Sequence, residues 1–218
     1  VVLGTAVTAD NCGVASVTNN APGAFPIGVT NVTWPVTDTR GNPATCTQPV
    51  TVTDNVLPTI TCPAAVAATT NTGCTATGVA LGTPFTADNC GVASVVNDAP
   101  AAFPIGVTNV TWTVTDNSGN TATCTQVVTV TDNVVPTITC PAAVAATTNS
   151  GCTATGVVLG TPVTADNCGV ASVTNNAPGA FAIGVTNVTW TVTDNSGNTA
   201  TCTQVVTVTD NVVPTITC

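Results

Sequence analysis

The residues able to do chemistry in this 218-residue chain are of two kinds: ten acidic residues, all aspartate, and eleven cysteines. There is no histidine, tyrosine, methionine, glutamate or lysine, Arg40 is the one basic residue, and the net charge is −9. Without His or Lys to serve as a base, most catalysis is excluded, and only Asp, Cys and Ser remain as acid, base or nucleophile. Nucleic acid is excluded as a partner, because phosphate neutralisation needs Lys and Arg. Aspartate unaided can hold a hard cation, and Asp116-x-Ser118-x-Asn120 spaces oxygens at alternate residues, the donors of which Ca²⁺ takes about six to eight. The same residues have a plainer use, since Asp and Asn side chains bond nearby backbone and make turns.

Those residues recur. TADNCGVASV occupies 8–17, 86–95 and 164–173, and NVTW begins at 31, 109 and 187. PTITC begins at 58, 136 and 214, so the offset is 78 each time. Between 79–140 and 157–218 there are 6 differences in 62 positions and no gap. The chain reads as two full repeats and a truncated one, with no signal peptide, like a window on a longer array. The expected divisions are 1–55, 56–133, 134–211 and the start of a further repeat at 212–218. Each repeat carries four cysteines, an even number in a small unit, which reads as a disulfide framework in an oxidising compartment. Metal binding by cysteine fails on spacing, for there is no CxxC and no His.

The elements that must position these groups are strands. Val110, Trp112 and Val114 alternate with Thr111, Thr113 and Thr115, and Cys124, Val128 and Val130 alternate with Thr123, Thr125, Thr129 and Thr131. That is the pattern of half-buried strands rich in β-branched residues. Asp116–Asn120 between them suits a hairpin loop, its Gly119 supplying a positive φ. Further strands are expected near 64–70, 74–82, 91–97 and 101–105. Short strands with polar turns argue for a small antiparallel sandwich. One Trp and one Phe per repeat (Phe25, Phe103, Phe181) give a thin core. Two disulfides of ~2–4 kcal/mol each would then matter decisively. In the first repeat Pro35, Pro43 and Pro49 fall within expected strands. They must either face outward at unpaired sites or make that copy less regular.

Pro58-Thr-Ile-Thr-Cys-Pro63, Asp88-Asn-Cys-Gly91, Phe103-Pro-Ile-Gly106, Val110-Thr-Trp-Thr-Val-Thr-Asp116, Gly119-Asn-Thr-Ala-Thr-Cys124 and Val130-Thr-Asp132 together resemble the hyalin repeat, or HYR, domain. The resemblance covers the whole chain. It implies an all-β fold of tandem immunoglobulin-like antiparallel β-sandwiches, one per 78-residue repeat, each stapled by disulfides, in an extracellular protein concerned with adhesion. It further implies the pairs Cys62–Cys124 and Cys74–Cys90, then Cys140–Cys202 and Cys152–Cys168, with partners for Cys12, Cys46 and Cys218 outside these residues. Four cysteines allow three connectivities, and the sketched strand order puts Cys74 near the end opposite Cys90.

In such a sandwich Asp132, leaving one repeat, meets the end of the next repeat where Asp166 and Asp194 sit. With Asn133, Asn167 and backbone carbonyls they could hold Ca²⁺ at the joint. N-x-Thr sequons at Asn31, Asn109 and Asn187 are glycosylation acceptors in a competent host. The Thr-rich outer face reads as solvated strand surface, with O-glycan attachment, lateral packing between filaments and ice binding as further uses. The link DNVVPTITCP from Asp132 to Pro141 is apolar and proline-restricted, unlike a flexible Gly/Ser linker. No apolar run reaches the ~20 residues that span a bilayer. The expectation is a non-enzymatic, structural and adhesive segment of a large secreted or cell-surface protein, forming a semi-rigid rod or filament. Its partners are neighbouring repeats and lateral copies. The alternative is a glycan- or protein-binding module. A binding array should diversify its loops, whereas TADNCG is identical in all three copies.

Overall fold

A computed structural model describes all residues, Val1–Cys218. It contains nineteen strands and no α-helix. The first repeat has β1 (Val14–Val17), β2 (Gly28–Asp38) and β3 (Pro43–Val52). The second has β4 (Thr59–Thr61), β5 (Val66–Thr69), β6 (Thr75–Thr77), β7 (Phe85–Ala87), β8 (Val92–Asn97), β9 (Ala102–Pro104), β10 (Gly106–Asp116) and β11 (Thr121–Thr131). The third repeats these as β12 (Thr137–Thr139), β13 (Val144–Thr147), β14 (Thr153–Thr155), β15 (Val163–Ala165), β16 (Val170–Asn175), β17 (Ala180–Ala182), β18 (Gly184–Asp194) and β19 (Thr199–Thr209). The chain divides into two compact units: Val1–Thr61 with Phe85–Val96 and Thr113–Cys124, and Cys62–Pro84 with Asn97–Trp112 and Thr125–Cys218.

The third repeat lies wholly in the second unit. Its larger sheet has the order β13-β19-β18-β16. The β18–β19 hairpin pairs from Thr193↔Thr199 to Gly184↔Val208, and β16 joins antiparallel with a bulge between Val170 and Ser172. The sheet is antiparallel except for β13, which runs parallel to β19. Facing it are two short ladders, β12–β15 and β14–β17. The expected alternation is realised: Val188, Trp190, Val192, Val206 and Val208 are buried, while Thr201, Thr203 and Val205 are exposed. Ala154 and Phe181 of the β14–β17 ladder pack on Val188, Trp190, Val206 and Val208, closing the core between the layers. The second repeat's larger sheet has the equivalent order β5-β11-β10-β8.

The strands β4, β7, β12 and β15 were not expected. Each is three residues long, too short to display a period. Cys140 and Cys202 form a disulfide with Cα atoms 5.7 Å apart, and both sulfur-bearing residues pack against the core cluster. The equivalent Cys62 and Cys124 are also disulfide-bonded.

In the first unit, the first repeat is a three-stranded sheet in the order β1-β2-β3. The prolines do not interrupt it. Pro35 lies opposite Thr45, Pro43 opposite Thr37 and Pro49 opposite Asn31 in one continuous ladder, and all three prolines are exposed. Trp34 and Phe25 are only half-buried.

Candidate functional site at the repeat joint

Asp132 follows β11 and is 6% exposed. Its carboxylate is surrounded by donors from both repeats. Oδ1 accepts from Thr70 Oγ1 at 3.0 Å, the Val134 amide at 3.1 Å and Asn167 Nδ2 at 3.3 Å. Oδ2 accepts from Ser196 Oγ at 3.3 Å. Asn198 Nδ2 donates to the carbonyls of Asp132 at 3.1 Å and Val134 at 3.3 Å. Burial pushes the Asp132 carboxyl up, but hydrogen bonds from Val134, Thr70, Asn167 and Cys168 outweigh it and hold the group below the usual carboxylate range. Pro136, four residues on, is buried, so the link is packed rather than free.

Two loops of the third repeat reach this point, and each is built locally. In the first, Asp166 Oδ2 accepts the Cys168 amide at 2.6 Å. Asn195 donates its amide to the Gly169 carbonyl at 3.2 Å and its Nδ2 to the Cys168 carbonyl at 2.8 Å. Gly169 has φ +90°, a conformation that favours glycine, and a Cβ there would lie 3.0 Å from Asn195 Nδ2, a tight contact that this side chain would have to relieve. In the second, the β18–β19 hairpin loop, Asp194 is 2% exposed. Its Oδ1 accepts the amides of Ser196 and Asn198, both at 2.8 Å, and its Oδ2 accepts Asn198 Nδ2 at 2.8 Å. Burial raises the Asp194 carboxyl, yet the bonds from Asn198, Ser196 and Gly197 prevail and lower it. The turn-forming use of Asp and Asn accounts for both loops.

Of the five residues expected to hold a cation, Asp132 and Asp166 come together. A carboxylate oxygen of each and the Cys168 sulfur lie within 4.8 Å of one another. Asn167 joins them as a donor, Asp194 is occupied within its own hairpin, and Asn133 is exposed. One oxygen is left over: Asp166 Oδ1 is buried without a hydrogen-bond partner, as is Asp88 Oδ1. The first unit repeats the arrangement around Asp54, which receives Asn89 Nδ2 at 3.3 Å and Ser118 Oγ at 3.4 Å and gathers with Asp88 and Cys90. The donor roles of Thr70, Ser196 and Asn198 were not anticipated. The only trace in the sequence is that DNSGN keeps a serine and an asparagine at fixed offsets from each aspartate.

The remaining cysteines depart from expectation. The bonds Cys74–Cys90 and Cys152–Cys168 are not made, and all four residues are thiols. For the second pair the reason is distance. The Cys152 turn follows β13 at the Asp210 end, where Thr148 Oγ1 bonds Asp210 Oδ1 at 3.1 Å. Cys168 sits beside the hairpin loop at the other end of β18 and β19. Eleven-residue strands at ~3.4 Å per residue put those ends ~34 Å apart, whereas disulfide Cα atoms lie within about 7 Å. Cys168 instead faces Cys74 of the preceding repeat. Cys74 Sγ contacts the Asn167 carbonyl at 3.5 Å, and Cys168 Sγ contacts the Gly73 carbonyl at 3.6 Å. Burial, then Cys74 and Asp132, push the Cys168 thiol up to about 12. The sequon residues Asn31, Asn109 and Asn187 are exposed, one each on β2, β10 and β18.

The HYR domain profile matches residues 1–52, 53–130 and 131–208. Hyalin of Strongylocentrotus purpuratus is 36% identical over 216 residues, covering 91% of this chain and 18% of that protein. Hyalin of Lytechinus variegatus is 35% identical over 227 residues, covering 96% of this chain and 43% of that protein. The chain thus spans less than half the length of either relative. Among solved structures, Drosophila N-cadherin EC1-4 superposes with a TM-score of 0.40 at 11% identity, covering 85% of this chain and 59% of that one. No helix is long and apolar enough to cross a membrane. With three consecutive matches running from Val1 to Val208, and with the all-β repeats to go with them, this chain belongs to the HYR domain family.

Proposed function

We propose that this chain is a structural, adhesive segment of a secreted or cell-surface repeat protein, and that its work is mechanical: each repeat passes load to the next through a joint held in one geometry. The observation that carries this reading is Asp132. Its carboxylate and carbonyl are held by Asn167, Ser196 and Asn198 of the following repeat, with no flexible linker between. The Cys140–Cys202 bond agrees with an oxidising, extracellular setting. A net charge of −9 keeps such segments apart until something bridges them. Lateral copies of the chain are the partners this role requires. Small-angle scattering of the chain tests it: the wild type should fit a single semi-rigid arrangement of repeats, and the Ser196→Ala/Asn198→Ala double variant a broad one. A wild type that already fits a flexible ensemble overturns the reading.

One observation favours a second element, a calcium ion at the joint. Asp166 Oδ1 is buried without a partner beside the Asp132 carboxylate. These two carboxylates would hold the ion, with water completing the oxygen shell. Asp132 already accepts four donors, so the ion would have to displace Ser196 Oγ or Asn167 Nδ2. Calorimetric titration with CaCl2 should give saturable heat that Asp166→Asn lowers and that Asp166→Asn with Asp88→Asn, at the equivalent group around Asp54, abolishes. No heat in the wild type ends the calcium reading and leaves the mechanical one standing.

A further inference from the structure

We propose that Cys74 and Cys168 form a disulfide across the joint, so that consecutive repeats are latched covalently as well as packed. The two thiols reach past one another. Cys74 Sγ lies 3.5 Å from the carbonyl of Asn167, the residue before Cys168. Cys168 Sγ lies 3.6 Å from the carbonyl of Gly73, the residue before Cys74. Each sulfur therefore sits against the backbone that carries the other, and Asn167 Nδ2 locks the two segments together by donating to the Gly73 carbonyl at 3.0 Å.

Neither cysteine is on a loose loop. Cys74 lies in a tight turn whose flanks, Thr72 and Thr75, bridge each other, with Gly73 at φ +54°. Cys168 is fixed through its amide to Asp166 and through its carbonyl to Asn195. Two thiols held this way are brought together for oxidation, and the bond requires each sulfur to turn from the carbonyl it contacts toward the other.

The bond accounts for the cysteines that a within-repeat scheme leaves unpaired. Four cysteines per repeat divide into two joined inside the repeat, one reaching forward and one reached from behind. The forward spacing, Cys74 to Cys168, is 94 residues. Applied to Cys152 and, backwards, to Cys90, it points outside these 218 residues.

Formation is a two-electron oxidation by a small-molecule or protein disulfide. One thiol loses its proton and attacks the oxidant, expelling a thiolate and forming a mixed disulfide. The second thiol, deprotonated, then displaces the remaining half. The Sγ–Sγ bond forms, two protons leave, and the oxidant's S–S bond is reduced to two thiols. The alternative use of Cys168, as a thiolate metal ligand beside Asp132 and Asp166, is incompatible with the bond.

The test is a disulfide map of the whole chain. Protein prepared under oxidising conditions is denatured, its free thiols blocked with N-ethylmaleimide, and the chain cleaved before each aspartate. Cleavage leaves Cys90 alone in 88–97 and Cys168 alone in 166–193, with Cys74 beside Cys62 in 54–87 and Cys152 beside Cys140 in 132–165. The expected result is that 166–193 is joined to 54–87 and released by reduction. In Cys168→Ser, Cys74 should become fully labelled by maleimide while Cys140–Cys202 persists. Linkage of 166–193 to 132–165, or recovery of Cys168 as a labelled thiol, overturns the proposal.

Discussion

The indole N–H of Trp190 donates to Gln204 Oε1 at 3.0 Å, and the same amide donates through Nε2 to the carbonyls of Ala142 at 2.7 Å and Leu159 at 2.8 Å. Gln204 is 1% exposed. One buried side chain thus joins the β18–β19 hairpin to the segments leading into β13 and out of β14. Trp112 and Gln126 make the same contact at 3.0 Å in the second repeat.

Replacing Gln204 by Leu keeps the volume but strands an indole N–H and two carbonyls in a dry core. At ~1–3 kcal/mol for each unsatisfied buried group, the third repeat should lose about 3 kcal/mol or more of stability in urea unfolding. A loss below about 1 kcal/mol would mean that water replaces the amide.

The Cys140–Cys202 bond closes a separation of 62 residues. Removing it with the Cys140→Ala/Cys202→Ala pair should cost about 4 kcal/mol on chain-entropy grounds. Denaturant melts with and without reductant check this. An unchanged midpoint would show that layer packing alone holds the repeat.

Legibility differed between levels. Val110, Trp112 and Val114 declared their strand because a two-residue period over eleven residues is hard to mistake, and all three are buried. Gln126 stands in the same kind of pattern but is polar, so its burial was invisible: only the carbonyls of Ala64 and Leu81, distant in sequence, make the position hospitable. The joint was half visible. Asp132 and Asp166 were expected to meet, and do, because the ends of tandem sandwiches must. That Ser196 and Asn198 would serve as donors to Asp132, and that Cys168 would face Cys74 across the joint, depended on the angle between loops of successive repeats, and no local pattern records that.

Acid should weaken the fold in one direction. Asp132 and Asp194 have folded-state pKa values below the ordinary carboxylate range. The unfolded chain therefore binds protons first as pH falls. The stabilisation is present above about pH 4 and is lost as pH drops through the folded-state values. Stability measured from pH 8 to pH 2 should be flat to about pH 5 and then decline. Asp194→Asn should shrink the decline. A loss beginning near pH 7 would contradict the assignment, since nothing else that these hydrogen bonds hold titrates there.

Asn198 separates the joint from the core. Its Nδ2 donates to Asp194 Oδ2 within the hairpin and to the carbonyls of Asp132 and Val134 across the joint, and none of these residues belongs to the hydrophobic cluster of Trp190, Val206 and Phe181. Asn198→Ala removes shared, partly exposed hydrogen bonds worth about 1–1.5 kcal/mol together. That corresponds to roughly tenfold in a local opening equilibrium. Hydrogen exchange should therefore quicken about tenfold at the Val134 amide, which donates to Asp132 Oδ1. The amides of Val188–Val192, deep in the β18–β19 ladder, should stay at their wild-type rates, because they open only with the whole repeat. Equal acceleration at both places would mean that the joint and the repeat unfold as one unit, so that load on the joint would be load on the core.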